Sequence, residues 1–232
     1  MLNEKINDLI VISDFDGTIS LIDITDLILT RFGHPSWHEI EKEWEDGKIS
    51  SKECMQRQIS LISSTPEEMI SLINEVPLDP HFLNFSTKCR EMKIPIMILS
   101  DGLDFAIHHA LKKYGISGIP IISNQLDYLG NKRFSLSFPN FSNDCQVSSG
   151  VCKCHVANNF KAQSSRSTLV FFGDGRSDFC LSQKADLVFA RSSLLTYCKQ
   201  KEICHLPCEN FESAFSSLER YFSFPNAVSK KS

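Results

Sequence analysis

The stretch Leu9-Ile10-Val11-Ile12-Ser13-Asp14-Phe15-Asp16-Gly17-Thr18 decides how this chain is read. It opens with a short apolar, mostly β-branched run and stops at two carboxylates two residues apart. Such a run predicts a strand buried on both faces, as in a parallel sheet. In extended backbone, residues i and i+2 point the same way, so Asp14 and Asp16 face one site. Two carboxylates gathered beside a buried strand are costly unless they are paired or meet a metal ion. Hard carboxylate oxygens suit Mg²⁺, and a carboxylate can also act as a covalent nucleophile.

The same pattern recurs along the chain. Ile94 to Leu99 is an apolar run ending at Ser100-Asp101-Gly102, and Ile119 to Ser123 is another. Thr168 to Phe172 ends at Gly173-Asp174-Gly175, and Leu187 to Ala190 follows. Helical spacing over Asp104 to Tyr114 and Ser177 to Lys184 separates several of these runs. Alternating strands and helices predict an α/β fold with a parallel sheet covered on both faces. Sites in such folds lie beyond the C-terminal strand ends, so Asp14, Asp16, Ser100 and Asp174 are expected to converge. Leu126 to Gln146 alternates around Gly130-Asn131, which predicts a hairpin.

Residues 21 to 80 read differently. Leu21, Ile24, Leu27, Ile28 and Phe32 recur at helical spacing, as do Ile59, Ile62, Met69, Ile70 and Ile73. Thr65-Pro66-Glu67-Glu68 has the form of a helix start. The expectation is a helical domain over 21–80, inserted between the first two strands of a core formed by 1–20 and 81–232. A length of 232 residues suits one core with a small accessory domain. A net charge of −4 argues against a broad nucleic-acid surface, and no apolar run reaches membrane-spanning length. Nine cysteines, an odd number, without a leader-like start point to reduced thiols in a cytoplasmic protein.

These motifs, in this order, resemble those of the haloacid dehalogenase superfamily. Its D-x-D-G-T motif is matched by Asp14 to Thr18, its strand-ending Ser or Thr by Ser100, and its acidic cluster by Gly173-Asp174-Gly175-Arg176-Ser177-Asp178. Its lysine falls between the last two, where Lys153 and Lys161 both stand. A helical insert between the first two motifs resembles the phosphoserine-phosphatase-like branch. Asp14 to Ile19 with Asp23, Ser100 to Phe105, and Cys152-Lys153 in a Cys-rich stretch resemble the 2-hydroxy-3-keto-5-methylthiopentenyl-1-phosphate phosphatases of methionine salvage, which favours Lys153 over Lys161. Asp101, where that family has Gly, and Cys154-His155 depart from its pattern.

The resemblance implies a Rossmann-like three-layer core with a helical cap and a Mg²⁺-dependent phosphatase of a small phosphorylated metabolite, active as a monomer or homodimer. Asp14 would be the nucleophile and Asp16 the general acid and base. Mg²⁺ would sit on Asp14, the carbonyl of Asp16, and Asp174, with Asp178 supporting it from behind. Ser100, Gly102 and Lys153 would bind phosphate. Asp23 and Arg57 match cap positions that read the amine and carboxylate of phosphoserine, so phosphoserine, phosphocholine, phosphoethanolamine and pyridoxal phosphate stay open as substrates. A phosphotransferase and a non-catalytic metal-sensing module are the other readings; Cys145, Cys152, Cys154 and His155 are the candidate ligands for a structural metal.

Overall fold

The computed structural model describes residues 8–145, 148–163 and 168–223. The ends of the expected core, and Gln146 at the end of the expected hairpin segment, lie outside them. Strands β1 (Leu9–Ser13), β2 (Ile96–Leu103), β3 (Ile121–Gly130), β4 (Arg133–Ser137), β5 (Thr168–Gly173), β6 (Leu187–Ala190) and β7 (His205–Pro207) form one sheet in the order β4-β3-β2-β1-β5-β6-β7. Every pairing is parallel except β3 with β4.

Alternation along the central strands explains the three layers. Leu9 and Val11 of β1 and Val170 and Phe172 of β5 enter one apolar cluster, while Ile10, Ile12, Leu169 and Phe171 enter the cluster on the opposite face. The first face is rich in aromatics: Phe85 meets Phe172 edge-on at 5.3 Å, and Phe172 stacks on Phe189 at 4.7 Å and on Phe211 at 5.0 Å. Helices α5 (Phe82–Glu91), α6 (Asp104–Lys113) and α10 (Phe211–Ser223) cover that face; α7 (Lys153–Ala162), α8 (Phe179–Ser182) and α9 (Ser192–Gln200) cover the other.

The stretch between β1 and α5 carries helices α1 (Ile24–Phe32), α2 (Trp37–Glu45), α3 (Ser51–Ile59) and α4 (Pro66–Ile73) and no strand. Asp23, Ser50 and Thr65 each cap the helix that follows by accepting a backbone N–H, and Thr65 and Glu68 form a capping box. The stretch leaves and rejoins the core at one neck, where Ser20 bridges Leu78 and the Asp79 N–H donates to the Ile19 carbonyl at 2.8 Å. Its apolar interior (Ile28, Leu29, Ile59, Met69, Ile73) runs without a break into the cluster beneath the sheet.

The structure extends the sequence reading in two places. The run at Ile119 to Ser123 and the first arm of the hairpin are one ten-residue strand, parallel to β2 at its start and antiparallel to β4 at its end. Asn131 and Lys132 at the turn both have positive φ, the conformation a two-residue hairpin loop needs. Strand β7, three residues long with no alternating pattern, leaves little trace in sequence.

Candidate active site

Asp14, Asp16, Ser100 and Asp174 meet at the C-terminal edge of β1, β2 and β5. The Asp14 N–H donates to the Phe172 carbonyl at 2.9 Å, continuing the ladder one residue past the strand and holding the carboxylate at the sheet edge. The chain then turns at Gly17, whose φ is +70°. A Cβ there would collide with the Asp174 carboxylate, so only glycine lets the first loop approach the acidic cluster. Gly102 plays the same part opposite: a Cβ on it would collide with Oδ2 of Asp16. Ser100 is buried, and its Oγ accepts from the Gly102 N–H at 3.0 Å.

Lys153 lies beneath this cluster. Its ammonium is fully buried, 2.8 Å from Oδ1 of Asp14, and donates to Oδ1 of Asp178 at 2.6 Å. It is the first residue of α7, where a helix dipole disfavours a cation; the two carboxylates outweigh that. Burial alone would lower its pKa, but Asp14 and Asp178 hold it above the usual lysine value. Lys161 instead pairs with Asp186 at 3.1 Å on the surface.

Asp178 is committed to protein partners. Its Oδ1 takes Lys153, and its Oδ2 accepts from the N–H groups of Asp174 and Gly175 at 2.9 and 3.1 Å. Among the described residues, Asp14, Asp174 and Asp178 are the one set of three potential ligands with oxygens within 4.8 Å of one another. With Asp178 spent, Asp14 and Asp174 remain. Oδ1 of Asp14 is buried and lacks a directional hydrogen bond, the Lys153 contact being an ion pair outside hydrogen-bonding angles. These hard oxygen donors fit a divalent cation such as Mg²⁺.

The carboxyls respond to crowding without such a cation. Burial, then repulsion from Asp178, raises Asp14 well above the ordinary value. Burial and Asp23 do the same to Asp16, with the Ile24 N–H at 2.9 Å pulling back. Asp174 is raised to about 7 by burial and by Asp178. A carboxyl with a raised folded pKa binds protons more readily folded than unfolded. Between its unfolded value near about 4 and its folded value, stability therefore falls as pH rises. In EDTA, the melting temperature should be higher at about pH 5.5 than at about pH 8, and Mg²⁺ should narrow the gap. A flat or opposite profile from a thermal melt series would contradict this electrostatic picture.

A cleft of about 490 Å³ opens above the cluster between the sheet edge and helices α1 to α3. Its far wall carries Asp23, Asp26, Glu41, Trp44, Met55 and Gln58. Asp23 sits at the exposed mouth, its carboxyl raised to about 6 by removal from water on the site side and by Asp26. Glu41 accepts from Gln58 Nε2 at 2.7 Å.

Arg57 is not on this wall. Its guanidinium grips Glu43 in a two-point pair at 2.6 and 3.0 Å, on the outside of α3. The structure thus corrects its expected place as a reader of substrate carboxylate: a partner fourteen residues away occupies the fork. Arg57→Ala should leave kcat/KM within about twofold of wild type for carboxylate-bearing and simple substrates alike. A selective rise in KM for the former would reverse that conclusion.

The cysteine-rich segment gathers no metal site among the described residues. Cys145, Cys152 and Cys154 are buried thiols packed with Cys180 in the apolar cluster on that face of the sheet. His155 is exposed and pairs with Asn159 at 3.2 Å.

Sequence reasoning missed Arg191. It donates to the Thr18 carbonyl at 3.1 Å and to Asp79 at 3.1 Å, pinning the first motif to the neck. It also missed the role of Asp101, which accepts from Ser51, Asn124 and Val151.

Residues 9–214 match the profile of a family described as Putative Phosphatase. A 2-hydroxy-3-keto-5-methylthiopentenyl-1-phosphate phosphatase from Brevibacillus brevis is 27% identical over 215 residues, covering 91% of this chain and 96% of its own. Pdp3-interacting factor 1 from Schizosaccharomyces pombe is 26% identical over 223 residues, covering 92% and 96%. Among solved structures, a phospho-aspartyl intermediate analogue of phosphoserine phosphatase superposes with a TM-score of 0.69 at 18% identity, covering 90% of this chain and 97% of its own. No helix among the described residues is long and apolar enough to cross a membrane.

Proposed function

The chain belongs to the Putative Phosphatase family and is a phosphoric monoester hydrolase, and from that premise we propose that it hydrolyses a small phosphorylated metabolite whose leaving group carries no negative charge, through an aspartyl-phosphate on Asp14. The observation that carries this reading is the buried triad of Asp14, Lys153 and Asp178 at the floor of a cleft that is also lined by Asp16 and Asp174.

Asp14 attacks phosphorus in line from the end of β1, and Lys153 beneath it offsets charge on the nucleophile and the transferring group. Asp16, held well above the usual carboxylate range, protonates the leaving alkoxide. It then takes a proton from the water that releases phosphate. Ser100 and the backbone around Gly102 hold phosphate oxygens. A divalent cation held by Asp14, the Asp16 carbonyl and Asp174 would neutralise phosphate charge when bound. Residues 21–80 act as a lid domain that excludes water and chooses the leaving group.

The lid argues against an anionic leaving group. Asp23, Asp26 and Glu41 face the cleft, and Arg57 is engaged elsewhere. A carboxylate such as that of phosphoserine would meet like charge there. Leu21, Ile22, Trp44 and Met55 offer apolar contact, which suits a thioether-bearing chain such as the substrate named for the Brevibacillus relative. The test is phosphate release from that enol phosphate, phosphoserine, phosphocholine, phosphoethanolamine and pyridoxal phosphate, with Mg²⁺ and with EDTA. Mg²⁺-dependent release should be fastest with the enol phosphate and at least about tenfold slower with phosphoserine. Phosphoserine as the best substrate would overturn the specificity argument, and no release from any would overturn the activity.

A further inference from the structure

Asp101 directly follows Ser100 and gathers donors from three separate parts of the chain. Its Oδ2 accepts from Oγ of Ser51, the first residue of α3, at 3.1 Å. Its Oδ1 accepts from Asn124 Nδ2 on β3 at 3.1 Å and from the Val151 N–H at 2.8 Å. Asn124 also donates to the Asp101 carbonyl at 2.6 Å. Val151 stands two residues before Lys153, whose ammonium contacts Asp14. Gly150 lets this loop pack closely on β3, since a Cβ on it would lie 2.5 Å from Oδ1 of Asn124. A continuous path therefore runs from the helical stretch through Ser51, Asp101 and Val151 to Lys153 and Asp14.

We propose that Asp101 is a positioning residue that ties the seating of the helical lid on the core to the placement of Lys153 against Asp14. The inference rests on the catalytic reading above for what Lys153 does, but not for the tie itself. Neighbouring contacts show how the lid is seated: the Lys52 N–H donates to the Ser148 carbonyl at 3.3 Å, and the Lys52 ammonium lies 3.9 Å from the Phe141 ring centre. Trp44 of α2 lies under the Arg176 guanidinium, 5.0 Å away, beside Asp174. A carboxylate can serve all three side-chain and backbone donors at once. An amide could keep its oxygen on Asn124 and Val151 and donate to the Ser51 hydroxyl, so the decisive variant removes the polar atoms altogether.

Both tryptophans of the chain, Trp37 and Trp44, stand on α2, so intrinsic fluorescence reports on the lid. Acrylamide quenching is measured on the metal-free protein without substrate, and kcat and KM on para-nitrophenyl phosphate with Mg²⁺, for wild type, Ser51→Ala and Asp101→Ala. Ser51→Ala should raise quenching and lower kcat about threefold. Asp101→Ala should raise quenching at least as much and lower kcat at least about tenfold, because it also frees the Val151 arm. A residue that merely supports the fold would lower the melting temperature and leave the kcat of folded enzyme unchanged. Asp101→Ala with wild-type kcat, or with reduced kcat and unchanged quenching, overturns the tie. If Asp101→Ala does not fold, unchanged quenching and kcat in Ser51→Ala overturn it alone. An inactive wild type overturns the proposed activity instead, and quenching still decides the tie without turnover.

Discussion

Asp14→Asn is expected to lower turnover at least about ten-thousandfold while the metal-free protein melts at or above the wild-type temperature. The two halves have one cause. The Asp14 carboxylate is buried, repelled by Asp178 and Asp174, and raised well above its ordinary pKa, so in the absence of a cation its charge opposes folding. Asparagine keeps the shape and removes that charge, but its amide is not a nucleophile and is a poor ligand for a hard cation. Initial rates at saturating Mg²⁺ and a thermal melt in EDTA check both halves. Loss of stability in step with activity would mean that Asp14 serves the fold rather than the chemistry.

Lys153→Met should have the largest combined effect. The ammonium is fully buried between Asp14 and Asp178. Its removal leaves two buried carboxylates facing each other, a defect of about 3–5 kcal/mol by analogy with broken buried ion pairs. Activity should fall at least about a thousandfold, since the variant loses a charge aimed at the transferring phosphoryl group. The double variant Lys153→Met/Asp178→Asn separates the two roles. It should recover much of the lost stability, because Asp178 no longer repels Asp14, and none of the lost activity. Recovered activity in the double variant would refute a direct role for Lys153.

Much of the fold and of the site is legible in the amino-acid sequence. The central strands are continuous apolar runs because both faces of the sheet are covered. Each polar motif follows such a run directly, so the placing of Asp14, Ser100 and Asp174 at one edge follows from topology alone. What escapes is what depends on distant pairing. Arg57 looks free in sequence; only the packing of α2 against α3 brings Glu43 onto its fork. Arg191 carries no motif, and its value lies in reaching Thr18 and Asp79 at once. Asp101 registers in sequence only as a departure from glycine, and its three partners lie between 23 and 50 residues away. The fusion of two predicted segments into β3 is hidden because its first half is buried in a parallel sheet and its second half alternates as an exposed hairpin arm.

The most direct test is to catch the covalent intermediate. Enzyme turning over its best substrate with Mg²⁺ is quenched in acid, reduced with borohydride and digested, and the peptide carrying Asp14 is read by mass spectrometry. An aspartyl-phosphate is reduced to homoserine, so homoserine at position 14, absent without substrate and absent in Asp14→Asn, is the expected result. An unmodified Asp14 peptide from enzyme that releases phosphate at full rate, or homoserine at another aspartate, would contradict the account.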